Sequence, residues 1–319
     1  MSNKGILKNK TIYVIDVGAS GGLHSRWPKI AGSNFKAVLF EPDPREYDRL
    51  KQSVGDNYIV LNSALSDFPK DLKFNLCRKQ QVSSIFMPNF ELLSKYPEAE
   101  RHDIVNTITM KTDTMDSQLR KAGLLEVDFI KIDTQGYELS ILEGAVKTLE
   151  NVIGLEVEVE FLPIYKDQPL FPEIDQFITS RGFELIDLKR YYWRRNNTHH
   201  YGPGQKGQII FGDALYFKTP ENICSDKNVN EDKILRAVTV YLAYEYFDLA
   251  EVLLNLSSKI GILSKEMHVH IKQYLKNNEK FVLRNFKGKG RIEIIFRKIS
   301  NLFTIDSWAS GCDEKIGNF

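Results

Sequence analysis

Short apolar runs rich in β-branched residues alternate with helical patterns between residue 10 and about residue 218. Five of these runs are nearly continuous, which is typical of strands covered on both faces of a parallel sheet. They are TIYVIDV (11–17), KAVLFE (36–41), NYIVLN (57–62), LEVDFIKID (125–133) and VIGLEVEVEFL (152–162). Two later runs, 183–187 and 208–218, are predicted to close the sheet as antiparallel strands.

Segments with helical spacing separate the strands. Residues 44–54 begin with a proline, which is favoured in the first turn of a helix. Residues 137–149 place apolar side chains on one stripe, and residues 171–181 end before Gly182, a favourable residue just after a helix. This alternation predicts βαβ units and a doubly wound α/β fold.

Residues 66–112 interrupt the alternation. They contain two predicted strands, 72–77 and 104–112, on either side of a loop with serines and prolines. We interpret this segment as an insertion over the carboxyl edge of the sheet.

The pattern changes near Pro220. Residues 221–233 are polar and are predicted to form a linker, followed by two packed amphipathic helices with a turn near residues 247–248. We therefore expect a first domain of residues 1–220 and a mostly helical region of residues 221–319.

Composition and charge narrow the classes of function. Hydrophobic residues make up 42% of the 319 residues and charged residues 27%, which is ordinary for a globular protein. The 43 lysines and arginines nearly balance the 42 aspartates and glutamates, so the net charge is +1. A dedicated nucleic-acid-binding domain usually has a strong basic excess, so no nucleic-acid partner is expected.

Cysteine usage and the apolar runs indicate the cytoplasm. The three cysteines lie far apart without C-x-x-C spacing, which disfavours a disulfide framework and a structural zinc site. The first residues show no signal-peptide pattern, and no apolar run approaches the ~20 residues of a membrane-spanning helix. We therefore expect a cytoplasmic protein.

The glycine-rich turn DVGASGG (16–22) is the most informative local pattern. It follows a predicted strand and precedes a predicted short helix, and such a turn lets the backbone approach a nucleotide-like ligand. Glu41 ends the next strand, 19 residues after Gly22, where a carboxylate can accept hydrogen bonds from ribose hydroxyls. A solvated acid at the strand end is the alternative.

NAD and S-adenosylmethionine both fit such a turn followed by an acid. Two details favour S-adenosylmethionine. Asp16 precedes the turn in a D-x-G pattern, and a buried acid there suits a cationic cofactor better than a pyrophosphate. The glycines at 18, 21 and 22 also do not fit the G-x-G-x-x-G dinucleotide fingerprint.

Further blocks of sequence follow the glycine-rich turn in order. They are FEPDP (40–44), NSALSD (62–67), FIKIDTQGYELSILEGA (129–145), EVEFLPIYKDQPLFPEIDQFITSRGFELIDL (158–188) and GQIIFGDALYF (207–217). Together with the turn they resemble the FkbM family of S-adenosylmethionine-dependent methyltransferases. The resemblance covers roughly residues 11–218 and leaves out the region beyond residue 221.

The resemblance implies a class I methyltransferase fold, a Rossmann-like seven-stranded, mostly parallel sheet with helices on both faces; here a C-terminal helical extension would follow it. It also implies methyl transfer from S-adenosylmethionine to a hydroxyl of a sugar, a glycan or a related small molecule.

The family's cofactor-binding positions carry over residue by residue. They are Asp16, Gly18, Ala19, Ser20 and Gly21 around the methionine part, Glu41 and Pro42 at the ribose, Ser63, Ala64 and Leu65 at the adenine, and Asp133 facing the methyl donor. Thr134 and Gln135 depart from the valine and glutamate that the family often has before its glycine, which removes one acid near the donor.

Methylation of a hydroxyl requires a group that takes its proton, so a base or a metal is expected. The candidate bases are Asp133, Glu158, Glu160, His199 and His200. Glu156, Glu158 and Glu160 alternate along one predicted strand and point to one face, either at the site or at a solvated edge. The histidines lie in a polar loop, where solvent exposure is the commoner outcome. A divalent metal on Asp133 and the glutamates is the less favoured alternative, and we expect none.

Two segments are candidates for contacts with other molecules. The aromatic and basic residues 191–195 suit recognition of a sugar acceptor, because aromatic rings stack on sugars and arginines bind anions; packing at a strand edge is the alternative. Residues 284–298 hold six basic residues and one acid, typical of a solvated helix face or of a peripheral membrane contact. The helical region also suggests a partner protein or a homodimer.

Two other classes of function stay open. One is a binding module that keeps the cofactor fold without catalysis. The other is a nucleic-acid methyltransferase that uses residues 284–298. The chain has no N/D-P-P-Y/F tetrad and no P-C dipeptide, which disfavours this second class.

Overall fold

The computed structural model describes residues 10–19, 22–124, 126–198, 206–278, 289–301, 303, 308–309, 313 and 316–317. The strands within them are β1 (Ile12–Val17), β2 (Phe35–Phe40), β3 (Tyr58–Leu61), β4 (Ala64–Leu65), β5 (Asp71–Cys77), β6 (Ile104–Asp113), β7 (Phe129–Ile132), β8 (Gly154–Glu160), β9 (Phe183–Trp193) and β10 (Gln208–Lys218). The helices are α1 (Arg26–Ala31), α2 (Pro44–Ser53), α3 (Phe90–Leu93), α4 (Met115–Lys121), α5 (Glu138–Glu143), α6 (Val146–Asn151), α7 (Phe171–Thr179), α8 (Pro220–Ser225), α9 (Glu231–Ala243), α10 (Phe247–Lys259), α11 (Lys265–Asn277) and α12 (Lys289–Asn301). Short 3₁₀ helices lie at Gln80–Val82 and Ala99–His102.

Seven of the described strands form one sheet in the order β3-β2-β1-β7-β8-β10-β9. β10 runs antiparallel to both β8 and β9, while the pairs from β3 to β8 are parallel. The predicted seven-stranded, mostly parallel sheet is therefore confirmed. The expectation that the last two strands both run antiparallel is wrong for 183–187, because β9 opposes β10 and so runs with the other strands.

Helices cover both faces of this sheet, so its central strands are buried and apolar, as their sequences predicted. On one face, Trp27 of α1 and Val238 of α9 lie in a cluster with Phe129 and Phe217 of the strands. On the other face, α4 to α7 contribute a second cluster, to which Leu142 belongs. Each such buried side chain stabilises the fold by about 1.5–3 kcal/mol.

The segment after Pro220 is not the predicted polar linker. α8 begins there, and the Thr219 hydroxyl accepts a hydrogen bond from the Asn222 amide at 3.2 Å as its N-cap. Ile223 of this helix is only 1% exposed, because it packs into the cluster under the sheet. The sequence pattern did not predict this helix, because Ile223 is one apolar residue in a polar stretch.

The two predicted amphipathic helices correspond to α9 and α10, but the turn lies before residues 247–248, since Phe247 already begins α10. α9 shares its buried cluster with β1 and β2. The division of the chain at residue 220 stays a prediction.

The helix predicted over 137–149 is broken into α5 and α6 at Gly144. A Cβ on Gly144 would lie 2.0 Å from the carbonyl oxygen of Ser66, so the chain passes too close there for any other residue. The Asp116 carboxylate then caps the new helix start, accepting from the Thr148 amide at 2.8 Å. Val146, predicted on the buried stripe, is 43% exposed as a result.

The insertion lies where it was predicted, over the carboxyl ends of the parallel strands. β4, β6 and β5 form a small second sheet there. The Ser84 hydroxyl in its loop donates to the backbone oxygen of Gln135 at 2.7 Å, just after β7. This contact fixes the insertion beside the turn that follows β7.

α12 carries most of the basic stretch 284–298 that the structure describes. Its apolar residues Ile292, Ile295, Phe296 and Ile299 are 45–68% exposed. Within the described residues, no helix has both the length and the apolarity to cross a membrane. Contact of this region with a membrane surface or a partner stays a prediction.

Candidate active site

The glycine-rich turn brings the end of β1 against the end of β7. Gly18 has φ +80°, and a Cβ on it would lie 1.9 Å from the carbonyl oxygen of Asp133. A side chain at this position is excluded both by the left-handed backbone and by the contact. Ala19 follows and is buried. The predicted residues Ser20 and Gly21 lie outside the described residues.

Asp16, the fifth residue of β1, is a buried acid beneath this turn. It is 2% exposed, and its Oδ1 has no hydrogen-bond partner in the described part of the chain. The Lys131 ammonium lies 4.0 Å from that oxygen. Burial raises the pKa of Asp16 to about 6. A buried acceptor that lacks a donor is costly, so this oxygen suits a ligand's donor group.

Glu41 follows β2 and lines a cavity together with Gly18 and Asp133. It is 5% exposed, and its Oε1 accepts a hydrogen bond from the Asp43 amide at 2.9 Å. Burial raises the pKa of Glu41 to about 7, with the nearby carboxylates of Asp43 and Glu46 acting in the same direction. Pro42, Ser63, Ala64 and Leu65, all predicted cofactor contacts, line the same cavity.

This cavity continues into a second one under the glycine-rich turn. The second is lined by Asp16, Gly18 and Ala19, and Gly18 and Asp133 line both. Apolar walls beside Glu41 suit a nucleoside, and the unpartnered oxygen of Asp16 suits a cationic amino group. The described residues therefore fit the nucleoside and the amino group of S-adenosylmethionine.

Gln135 is the centre of the polar network beyond β7. Its Nε2 donates to Glu158 Oε2 at 2.6 Å and to Asp133 Oδ1 at 3.2 Å. Its Oε1 accepts from the Tyr165 hydroxyl at 3.0 Å. Every polar atom of this amide group therefore has a partner, which fixes its orientation.

The turn around Gln135 is held by a buried acid. Gln135 has φ +59°, a left-handed conformation that is uncommon for a residue with a side chain. The Glu138 carboxylate accepts hydrogen bonds from the amides of Thr134 and Gly136, at 2.7 and 3.2 Å, and so stabilises the turn. The backbone oxygen of Gln135 is held by the insertion, as described above.

The pKa values of two neighbouring carboxyl groups, those of Asp133 and Glu158, are shifted in opposite directions. Burial acts to raise the pKa of Asp133, but the Lys131 ammonium at 3.4 Å and hydrogen bonds from Glu158 and Gln135 together outweigh it, so the pKa lies below its usual value. Burial, with the charge of Asp133, raises the pKa of Glu158 well above its usual value. These opposite directions favour an ionised Asp133 beside a protonated Glu158.

The three glutamates of β8 are all buried, so they do not form a solvated edge. Glu156 accepts from the Tyr244 hydroxyl at 2.6 Å and supports the C-terminal helices. Glu160 is 1% exposed, and burial raises its pKa well above the usual value. Glu158 and Glu160 line one cavity together, and Glu156 lines another.

The cavity at Glu158 and Glu160 has a wall of aromatic rings. We call it the aromatic pocket. Tyr191, Trp193 and Phe211 form this wall, and Tyr191 stacks on Phe211 with ring centres 4.4 Å apart. The aromatic pocket shares Gln135 with the cofactor cavities. The candidate bases His199 and His200 lie outside the described residues.

Several residues of the site were missed by sequence reasoning. Lys131 had a signal, since a lysine in the middle of a buried strand requires a charged partner. No sequence signal pointed to four other residues of the site, because only the folded insertion and the loop after β8 bring them to it. These residues are Arg101, His102, Tyr165 and Gln168. Among the described residues, no group of three or more His, Cys, Asp and Glu side chains is arranged to hold a metal ion.

Comparison with known proteins found one family model and several relatives. The sequence model described as "Methyltransferase FkbM domain" matches residues 16–185. The 2-O-methyltransferase NoeI of Sinorhizobium fredii is 25% identical over 189 residues, which is 57% of this chain and 76% of that protein. The methyltransferase sdnD of Sordaria araneosa is 24% identical over 54% of this chain and 74% of its own length.

A third relative and a solved structure also match the chain. The hexuronic acid methyltransferase AglP of Haloferax volcanii is 25% identical over 45% of this chain and 54% of its own length. The structure of a putative S-adenosylmethionine dependent methyltransferase from Listeria monocytogenes has 10% identity, a TM-score of 0.36, and coverage of 68% of this chain and 98% of that one.

Proposed function

The chain belongs to the FkbM methyltransferase family and is an S-adenosylmethionine-dependent methyltransferase, and on that premise we propose that it methylates a hydroxyl oxygen of a sugar. The observation that carries the proposal is the position of Gln135, which lines the cofactor cavities and the aromatic pocket at once. A hydroxyl held in the aromatic pocket would thus approach the donor end of the cofactor cavity beside Asp133.

The names of two relatives support the acceptor class. One acts as a 2-O-methyltransferase and another on a hexuronic acid. The wall of Tyr191, Trp193 and Phe211 also suits a sugar, because aromatic rings pack well against the apolar faces of sugar rings.

The residues of the cofactor cavities would hold S-adenosylmethionine in a defined direction. Glu41 would bind the ribose hydroxyls, Pro42, Ser63, Ala64 and Leu65 would flank the adenine, and Asp16 would accept from the amino group. When bound, this cofactor supplies an electrophilic methyl group. Holding a donor and an acceptor in line contributes several kcal/mol to catalysis, about 7–11 in the best-oriented systems.

Asp133 is the group we assign to take the proton of the acceptor hydroxyl. Its side chain is 36% exposed, and the Lys131 ammonium keeps it ionised. Glu158, protonated and fixed by Gln135, would position the acceptor rather than act as the base. Glu160 would likewise stay neutral at the far side of the aromatic pocket.

Titration calorimetry followed by product mass tests the proposal. The chain should bind S-adenosylmethionine, and incubation with a panel of sugars and glycans should add the mass of one methylene to one of them. D133N should lower kcat by about 100-fold or more, whereas D248N, which removes an exposed carboxylate on α10, should not.

Two results would contradict the proposal. Product only on amine or nucleic-acid acceptors would overturn O-methylation. Cofactor binding without transfer to any acceptor would favour the catalytically silent module. Dimer formation stays a prediction for sedimentation analysis of the same sample.

A further inference from the structure

Arg101 is the only cationic side chain among the described residues that line the aromatic pocket. It lies in the 3₁₀ helix Ala99–His102 of the insertion. Its guanidinium carbon is 4.7 Å from the ring centre of Trp193 and 5.0 Å from that of Trp308. The two indole rings meet edge to face, with centres 5.4 Å apart. The rings therefore fix the guanidinium against the pocket wall.

Trp308 comes from a distant segment that is tied to this wall. Its Nε1 donates to Glu98 Oε1 at 3.2 Å, and its backbone oxygen accepts from the Arg194 amide at 2.9 Å. Asp313, a few residues later, forms an ion pair with Arg190 at 2.9 Å. Ala309 then lines the aromatic pocket directly.

Arg101 has no carboxylate partner within 4 Å in the described part of the chain. Its Nε is buried and makes no hydrogen bond there. Burial lowers the pKa of Arg101, partly offset by the exposed acids Glu98 and Glu100 outside the pocket. A guanidinium with an unused buried donor is costly to maintain unless something else pairs with it.

The other titratable groups of the aromatic pocket do not neutralise this charge. Burial raises the pKa of both Glu158 and Glu160 well above the usual value, which favours their uncharged forms. Burial lowers the pKa of His102 to about 4, which favours its neutral form. The guanidinium of Arg101, with its unpaired Nε, therefore lies next to rings that suit a sugar.

We propose that Arg101 binds an anionic oxygen group of the sugar acceptor, a carboxylate or a phosphate, while the sugar ring packs against the wall of Tyr191, Trp193 and Phe211. This inference rests on the proposed function and narrows its acceptor class to acidic sugars. A guanidinium matches both anions because its N–H groups form a planar fork that pairs with two oxygens at once.

Three aryl glycosides that differ only at carbon 6 separate the alternatives. They are p-nitrophenyl glucuronide, p-nitrophenyl glucoside 6-phosphate and p-nitrophenyl glucoside. Binding of each is measured by calorimetry with S-adenosylhomocysteine present, and methyl transfer is measured separately by product mass. We expect at least one acidic glycoside to bind about 10- to 100-fold more tightly than the neutral one. The stronger of the two identifies the anion.

The variant R101Q removes the charge, and R101K keeps it without the planar fork. R101Q should lose the preference for the acidic glycoside, and R101K should lose part of it. The matched control is R78Q, because Arg78 pairs with Asp103 on the surface outside the pocket at 2.8 Å and is 62% exposed. Unchanged affinity for S-adenosylhomocysteine shows that each variant is folded.

The outcomes distinguish this inference from the function on which it rests. Equal or tighter binding of the neutral glycoside by the wild-type chain overturns the anion site, even if sugars are methylated. Retention of the preference in folded R101Q overturns the role of Arg101. Selective binding of an acidic glycoside without transfer to any sugar supports the anion site and counts against the proposed reaction.

Discussion

Gln135 donates a hydrogen bond to Glu158 over 2.6 Å, and this contact joins the end of β7 to the aromatic pocket. The same amide nitrogen reaches Asp133, so an uncharged donor lies between two carboxyl groups. A glutamate at position 135 would place a third carboxyl group next to those of Asp133 and Glu158.

The variant Q135E tests the importance of that uncharged donor. An added carboxylate disfavours ionisation of its neighbours, so the pKa of the Asp133–Glu158 pair should rise. We expect the acid limb of the pH–rate profile to move to higher pH by about one unit, with little change in the alkaline limb. The measurement is kcat against pH at saturating acceptor.

Its matched control is Q118E. Gln118 also donates to an aspartate, Asp113, at 2.8 Å, but on the surface away from the cavities. A profile that moves equally in both variants would show a general charge effect and refute the local one.

Cofactor affinity should depend on the ionisation of Glu41. Its pKa, raised by burial to about 7, means that the acid binds a proton more readily in the free folded chain than in water. The ribose hydroxyls need the ionised form, so affinity for S-adenosylmethionine should fall as pH decreases through about 7, approaching tenfold per pH unit below it. Calorimetry across pH 6–8.5, a range of roughly one unit or more on each side, measures this.

The variant E41Q should bind about 10- to 100-fold more weakly at the upper pH and lose the dependence near neutrality. E143Q, which changes an exposed acid at the end of α5, should keep both. A normal pH dependence in E41Q would assign the titration to another group, such as Asp16.

The glycine-rich turn offers two glycines with different constraints. G18A adds a Cβ that would lie 1.9 Å from the Asp133 oxygen, so β1 and β7 must move apart. G22A also has a positive φ, +71°, but nothing within 4 Å of the new Cβ. G22A should cost only about 1–2 kcal/mol of unfolding free energy, and G18A clearly more.

Denaturant unfolding and cofactor titration of both variants measure this difference. G18A should also lose cofactor affinity, because the displaced Asp133 lines the cavity. Similar losses in the two variants would mean that the left-handed backbone, and not the close approach, decides the effect.

A chain cut after residue 220 should not fold cooperatively. It would lose α9, whose Val238 and Tyr241 are fully buried in the cluster with Trp27 and Phe217. The exposed face of the sheet should then bind a hydrophobic dye, and the near-ultraviolet circular dichroism should be lost.

A cut after residue 278 is the control, because it keeps α9 to α11 and should unfold in one transition. A single cooperative transition in the shorter chain would instead establish residues 1–220 as an independent domain.

The residues that we assign to the cofactor could be predicted from the sequence because their signals are local. The glycines near 18–22, the acid at 41 and the strand that ends at Asp133 each occur beside a recognisable strand end. In a parallel sheet those ends meet at one edge, so the order of strands places them together.

The acceptor side was only partly accessible. Tyr191 and Trp193 belong to the segment predicted to contact a sugar acceptor, and both line the aromatic pocket; their contact with an acceptor stays a prediction. The sequence comparison showed only that Gln135 stands where the family often has a glutamate, and it did not predict the hydrogen bonds of this side chain. Arg101 and Trp308 had no local signal, since their contacts join positions as far apart as Glu98 and Trp308, 210 residues in the chain. Such contacts form only when the folded insertion packs against the segment that carries Trp308.

Cofactor binding and acceptor preference depend on different parts of this chain. The cofactor cavities are built from strand ends at the centre of the sheet, where almost any replacement disturbs the core. The segment that carries Trp308 and Ala309 lies outside the sheet, yet Ala309 lines the aromatic pocket, and Trp308 packs on Trp193 and Arg101. If the aromatic pocket holds the acceptor as proposed, substitutions at Ala309 should change acceptor preference without altering the cofactor cavities, which makes this position a natural starting point for directed evolution of new acceptors.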